Sequence, residues 1–237
     1  PAAIAMATAR GSTPAGAHLP IMVEEILEAL GPLSGAKALD CTLGWGGHAV
    51  ELAREVGDGG CVIGLDRDGA ELARTEKRLR ERGVRIITRR ENFADAARVL
   101  KSLGLKGVDA LLVDLGVSSM QLDRPERGMS FKTDGPLDMR MDQSSGQTAA
   151  EWLARAAESE IAGALARYGD EPDAAAIART LVALAARGRS PKTTAALASA
   201  VCVAKGLGAG RFVKKNASAR HPAARTFQAL RILVNSE

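Results

Sequence analysis

The sequence predicts an α/β protein, a parallel sheet alternating with helices and carrying an all-helical insert. Three observations predict it. A glycine turn, Gly44-Trp45-Gly46-Gly47, separates a short apolar run that reads as a strand from an amphipathic run that reads as a helix. Short β-type runs then alternate with helical periods as far as Asp114, which is the pattern of βαβ units. Beyond Asp114 the strand signal stops, and four helical periods follow an irregular, glycine-rich stretch.

The elements follow in order. Met22, Val23, Ile26, Leu27 and Leu30 recur at the helical period, predicting a helix over 21–30 that starts at Pro20 and stops at Gly31-Pro32. A strand over 37–42 leads into the glycine turn and a helix over 47–56. A second strand is expected over 61–66, a helix over 69–82, a third strand over 84–88 and a helix over 94–103. The fourth strand, 108–114, is so apolar that both its faces are expected to be buried. Residues 115–147 read as a loop rich in Gly, Pro and charge, and so long an irregular stretch tends to be functional. Helices are expected over 148–157, 159–168, 173–187 and 193–205, with Thr148 and Thr193 as N-caps and Gly188 and Gly206 as stops. A last helix begins near His221-Pro222 and carries Phe227, Leu230 and Val234 on one face. The expected organisation is a flexible lead over 1–17, a ligand-binding α/β domain made of 18–122 and 220–237, and a helical insert over 123–219. In the doubly wound order 3-2-1-4, the fourth strand is an edge, and an apolar edge is an aggregation hazard. The expectation is therefore an incomplete sheet, in a chain that is a piece of a longer protein.

Composition narrows the class. Of the 237 residues 46% are hydrophobic and 3% aromatic, so the core must be largely aliphatic. No apolar run approaches the ~18 residues of a membrane helix, and residues 1–17 lack the basic start and apolar block of a signal peptide. Cys41, Cys61 and Cys202 stand far apart, which argues for reduced thiols in a cytoplasm and against a disulfide framework or zinc site. With only three histidines, His18, His48 and His221, no metal site is expected. The net charge of +4 hides a division, because Ala174 to Ser236 holds eleven basic residues and no acid. Such a stretch suits a polyanion; its bland alternative is a solvated basic face.

The glycine turn has three readings. Gly44-Trp45-Gly46-Gly47-His48-Ala49 fits the dinucleotide pattern, with Asp66 at the end of the second strand to hold ribose hydroxyls. Asp40, just before the glycines, is where Rossmann-like methyltransferases carry an acid, which favours S-adenosylmethionine. The third reading is a turn that binds nothing. Asp66 has a helix N-cap as its structural alternative, Phe93 a core role, and Asp114, at the end of the fourth strand, a loop cap. His48 reads as a helix-start residue or a neighbour of the cofactor, and no residues around it form a triad.

These segments together are similar to the bacterial small-subunit ribosomal RNA cytosine-N4 methyltransferases, the RsmH (MraW) family. His18-Leu19-Pro20 with Glu24, Asp40 through His48, Leu65-Asp66-Arg67-Asp68, Asn92-Phe93 and Asp114 through Ser119 carry the resemblance. So do Gln121-Leu122-Asp123, Arg127 through Phe131, Pro136 through Asp142, Tyr168 through Glu171, and His221 through Ile232. The likeness runs from about residue 18 to the end. It implies a Rossmann-like class I methyltransferase domain interrupted by a helical substrate-binding domain. It implies S-adenosylmethionine contacts at Gly46, Gly47, His48, Asp66, Phe93, Asp114 and Gln121. It also implies methylation of N4 of a cytidine in the decoding region of small-subunit rRNA. Trp45 and Met129 depart from the residues the family often has, and the strands that follow the last helix in the family are missing here.

The acceptor chemistry sets further expectations. The amine's lone pair is delocalised into the cytosine ring, so direct transfer needs the nitrogen in line at about 3–3.5 Å from the methyl and acceptors for its N–H groups. Asp114-Leu115-Gly116-Val117 occupies the place of the Asp/Asn-Pro-Pro-aromatic turn of DNA amino-methyltransferases, and Asp114 is the candidate acceptor. The target base must be exposed or extruded. Arg211, Lys214, Lys215 and Arg220 are the candidate RNA contacts, and a homodimer is a possible assembly. Two rival readings stand beside this one: an NAD-dependent oxidoreductase, and a non-catalytic RNA-binding protein that keeps only the basic face.

Overall fold

The computed structural model describes residues 20–208 and 221–237, and the chain divides into two compact units between Leu115 and Gly116. The first unit runs α1 (Val23–Leu30), β1 (Lys37–Asp40), α2 (Gly47–Val56), β2 (Cys61–Asp66), α3 (Gly69–Glu81), β3 (Ile87–Arg90), α4 (Ala96–Ser102) and β4 (Ala110–Leu112). The strands are all parallel, in the order β3-β2-β1-β4. This is the Rossmann-like half-sheet that the βαβ rhythm predicts. Alternate residues of each strand face opposite layers. Ala38, Val62 and Ala110 pack with Leu52 and Val56 of α2 and Leu72 of α3. Leu39, Ile63 and Leu65 pack on the other face with Val99 of α4.

Two strand expectations need correction. The third strand is Ile87–Arg90, not 84–88; the chain first closes α3 with Gly83 in the left-handed region, at φ 69°, and the N–H of Val84 bonds back to Leu79 O. The fourth strand is not buried on both faces, since Leu111 is 51% and Val113 39% exposed. Ala110 and Leu112 face the layer of α2 and α3, whereas α4 covers Leu39 and Ile63 and leaves Leu111 open.

The second unit comprises α5 (Ser119–Leu122), α6 (Ala149–Leu153), α7 (Glu158–Gly169), α8 (Ala174–Ala186), α9 (Thr194–Ala204) and α10 (Ala224–Asn235). Thr148 and Thr193 are the N-caps of α6 and α9, each accepting the backbone N–H three residues on at 3.2 Å. Gly188 and Gly206 end α8 and α9 with positive φ. Leu153, Ile161, Leu165, Ile177, Leu197, Phe227 and Leu230 form its core.

The last helix belongs to this unit and not with residues 18–122, as the sequence reading had it. Phe227, Ala229 and Leu230 are fully buried in the helical core. Asn235 accepts Met141 N–H at 2.7 Å and donates to Met139 O at 2.8 Å, and Arg231 donates to Met129 O at 2.9 Å. The helix thus satisfies three backbone groups of the irregular stretch 129–141, Met129 O, Met139 O and Met141 N–H, while Pro136 bridges to Thr193.

Candidate functional site

The carboxyl ends of parallel strands are where ligands bind in open α/β sheets, and here they carry three acids. Asp40 ends β1, Asp66 ends β2, and Asp114 follows β4 by two residues. The turn after β1 ties them together. Thr42 donates both its N–H and its hydroxyl to Asp40 Oδ1, at 3.0 and 3.4 Å. The same hydroxyl oxygen accepts the backbone N–H of Asp114 at 2.8 Å. Gly44 N–H donates to Asp66 Oδ2 at 2.8 Å, and Asp68 N–H to Asp66 Oδ1 at 2.8 Å.

The electrostatics of this cluster are costly. Asp40 is 1% exposed, and burial pushes its carboxyl up from 3.8 to about 6 against the opposing pull of the Thr42 N–H. Burial likewise raises Asp66 to about 6, against the N–H groups of Asp68 and Gly44. Two acids reluctant to ionise at one strand rim are a favourable site for a cationic ligand, whose charge replaces lost solvation. Each oxygen of Asp66 accepts one backbone N–H and keeps a second lone pair, so the group both shapes the turn and can take a ligand hydroxyl. Its structural alternative falls away, because Asp68 is the N-cap of α3, accepting Glu71 N–H at 3.1 Å.

The turn itself is closely packed. Gly46 has φ +82°, and a Cβ there would lie 2.9 Å from Thr75 Cγ2; any other residue would be strained in conformation and in space. A Cβ on Gly47 would meet the Pro20 ring at 3.0 to 3.1 Å. His48 Nε2 lies 2.9 Å from Ile21 O. The segment before α1, read from sequence only as a helix start, therefore forms one wall of the turn. Sequence reasoning missed that contact, although Pro20 stood in the segment that carried the resemblance.

The remaining candidates fall elsewhere. Phe93 follows β3 and packs beside Leu39, Ile63 and Val99, while Asn92 caps the short 3-10 turn through Ala94 N–H at 2.9 Å. Gln121 lies in the second unit, where its Oε1 accepts Ser118 N–H at 3.1 Å and its own N–H bonds Ser118 Oγ at 3.2 Å, a reciprocal cap of α5. His221 stacks on Phe131 with ring centroids 4.3 Å apart and accepts Ala223 N–H on Nδ1. Glu171 is buried and bonds Lys205 Nζ at 2.6 Å, so the Tyr168–Glu171 segment braces the helical unit. His18 and the basic Arg211, Lys214, Lys215 and Arg220 lie outside the described residues. Among the described residues no three His, Cys, Asp or Glu group as metal ligands, and no helix is long and apolar enough to cross a membrane.

Comparison with known proteins gives a family. Residues 15–237 match the model of the MraW methylase family. The chain is 43% identical over 220 residues to ribosomal RNA small subunit methyltransferase H of Methylobacillus flagellatus, covering 93% of this chain and 65% of that protein. It is 44% identical over 222 residues to the protein of the same name from Trichlorobacter lovleyi, covering 93% and 68%. It thus spans about two thirds of the length of the curated relatives it matches. A crystal structure of a SAM dependent methyltransferase from Aquifex aeolicus overlaps it at 22% identity and a TM-score of 0.26, over 29% of this chain and 38% of that one, too little to bear on the fold.

Proposed function

The chain belongs to the MraW methylase family, and on that premise we propose that it methylates the N4 amine of a cytidine in the decoding region of small-subunit ribosomal RNA, with S-adenosylmethionine as the donor. The observation that carries the reading is the rim of three acids joined through Thr42 and Gly44. A dinucleotide site needs only the acid after the second strand. Here a second, buried acid precedes the glycines, and cationic cofactor chemistry accounts for it. The names of the relatives, ribosomal RNA small subunit methyltransferase H, support an RNA acceptor.

The donor, when bound, supplies an electrophilic methyl group on a sulfonium centre. The rest of the chemistry falls to this chain. Asp66 would hold the ribose hydroxyls with its free lone pairs. Gly46, Gly47 and His48, at the start of α2, would offer backbone N–H groups. Phe93 would lie against the adenine, and Gln121 would be a further contact of the cofactor. Asp114, exposed at the end of β4, would accept an N–H of the cytosine amine and draw its lone pair out of the ring. Arg211, Lys214, Lys215 and Arg220 would hold phosphates of the RNA.

The test is methyl incorporation. The chain is incubated with undermethylated small subunits and isotopically labelled S-adenosylmethionine, and the rRNA is digested to nucleosides. The proposal expects label in N4-methylcytidine. Label in another nucleoside would refute the position, and specific RNA binding without incorporation would favour the non-catalytic reading.

A further inference from the structure

The turn at the proposed cofactor site is fixed from behind by a polar chain on α3. Glu71, Thr75 and Arg78 stand at positions i, i+4 and i+7, on one face of that helix. Thr75 is fully buried and donates its hydroxyl to Gly44 O at 2.5 Å. Its oxygen accepts Arg78 Nη2 at 2.5 Å, and the same nitrogen donates to Glu71 Oε1 at 3.0 Å. Glu71 is only 5% exposed. The Arg78 guanidinium carbon then lies 3.5 Å from the centroid of the Trp45 ring, a close cation–π stack.

The consequence is that Gly44 is held through both of the peptide groups that flank it. Its N–H goes to Asp66 at 2.8 Å and its carbonyl to Thr75, while the next side chain, Trp45, is pinned by Arg78. A planar guanidinium can stack on an indole and bond a hydroxyl and a carboxylate at once; an ammonium cannot reproduce that geometry. Only the stacking depends on Trp45; the bonds among Gly44, Thr75, Arg78 and Glu71 do not.

We propose that Thr75 and Arg78 are positioning residues of the cofactor site, fixing the Gly44 carbonyl and the Trp45 ring before the ligand arrives. The role rests on the reading of the glycine turn as the S-adenosylmethionine site. A turn ordered in advance binds its ligand without the loss of freedom that ordering would otherwise cost on binding.

The experiment uses the whole chain with Trp152→Phe, which leaves Trp45 the only tryptophan. Thr75→Val removes the hydroxyl at constant shape, Thr75→Ser keeps it, and Arg78→Lys keeps the charge but not the fork. Three quantities are read: amide exchange of Gly44–His48 in the unliganded protein, Trp45 emission, and S-adenosylmethionine affinity by calorimetry. In Thr75→Val and Arg78→Lys the turn amides are expected to exchange faster, with the β2 amides unchanged. The dissociation constant should rise about tenfold, the effect of losing one good hydrogen bond. Trp45 emission should move in Arg78→Lys, and Thr75→Ser should behave as the parent. If both variants bind S-adenosylmethionine as the parent does, the positioning role is overturned and the cofactor reading stands. If the parent itself binds none, both fall.

Discussion

Asp40 and Asp66 are the acids on which the proposed cofactor binding turns, and their titration makes the first prediction. Both carboxyls sit at about 6 in the folded unit, against an ordinary 3.8. A raised folded pKa means that the stability tied to these groups is fully present below 3.8 and lost as the pH climbs through about 6. The unliganded protein is therefore expected to lose stability between pH 4 and 7 from this source. For the fully buried Asp40 the loss is on the order of 3 kcal/mol. Asp40→Asn should melt higher than the parent at pH 7.5, by several degrees, and bind S-adenosylmethionine more weakly. Thermal melts across pH check the first half and calorimetry the second. The cation, for its part, favours the ionised acids. Affinity should decline as the pH falls from 7 to 5, and much less steeply in Asp40→Asn. An affinity independent of pH would remove the acids from the binding account.

At the scale of elements, Asn235 and Gly169 test what holds the helical unit. Asn235→Ala leaves the buried Met139 O and the half-buried Met141 N–H without their partner, and is expected to cost about 1–3 kcal/mol in urea denaturation. A Cβ on Gly169 would come 2.6 Å from Arg225 O, a backbone atom that cannot step aside. Gly169→Ala should force α7 and α10 apart at a cost of about 1–3 kcal/mol. The same elements show where the sequence was legible. Helix ends were readable wherever a side chain or glycine acts locally, as at Thr148, Thr193, Gly188 and Gly206, because a cap depends on its neighbours in sequence. The sheet order was readable because the rhythm of strands and helices leaves few topologies. The allegiance of the last helix was not, since an apolar face at Phe227 and Leu230 does not say which core receives it. The bonds from Asn235 to Met139 and Met141 span more than ninety residues, and nothing local announces them. At the site, Asp40, Asp66 and the glycines stood out by spacing, while the Thr42 bridge to Asp114, the Pro20 wall and the α3 chain behind Gly44 arise only in three dimensions.

For the molecule as a whole, two large-scale features carry predictions. The acid-free stretch from Ala174 to Ser236 would make the proposed binding to rRNA an exchange of counterions. Affinity should fall linearly in log–log terms as salt rises from 50 to 200 mM, with a slope of several units if several phosphates are engaged. A flat salt response would mean a solvated basic face. The second feature is the β4 edge, where Leu111, Val113 and Leu115 are 51%, 39% and 59% exposed. Such an edge invites association. Light scattering should show self-association that grows with concentration and is reduced by Leu111→Lys. The measurement that bears most directly on the whole account is calorimetric titration of the chain with S-adenosylmethionine and, separately, with NAD, in the parent and in Asp66→Ala. The account predicts heat with S-adenosylmethionine alone, and none in a folded Asp66→Ala protein. Binding of NAD, or an S-adenosylmethionine affinity untouched by the loss of Asp66, would contradict it.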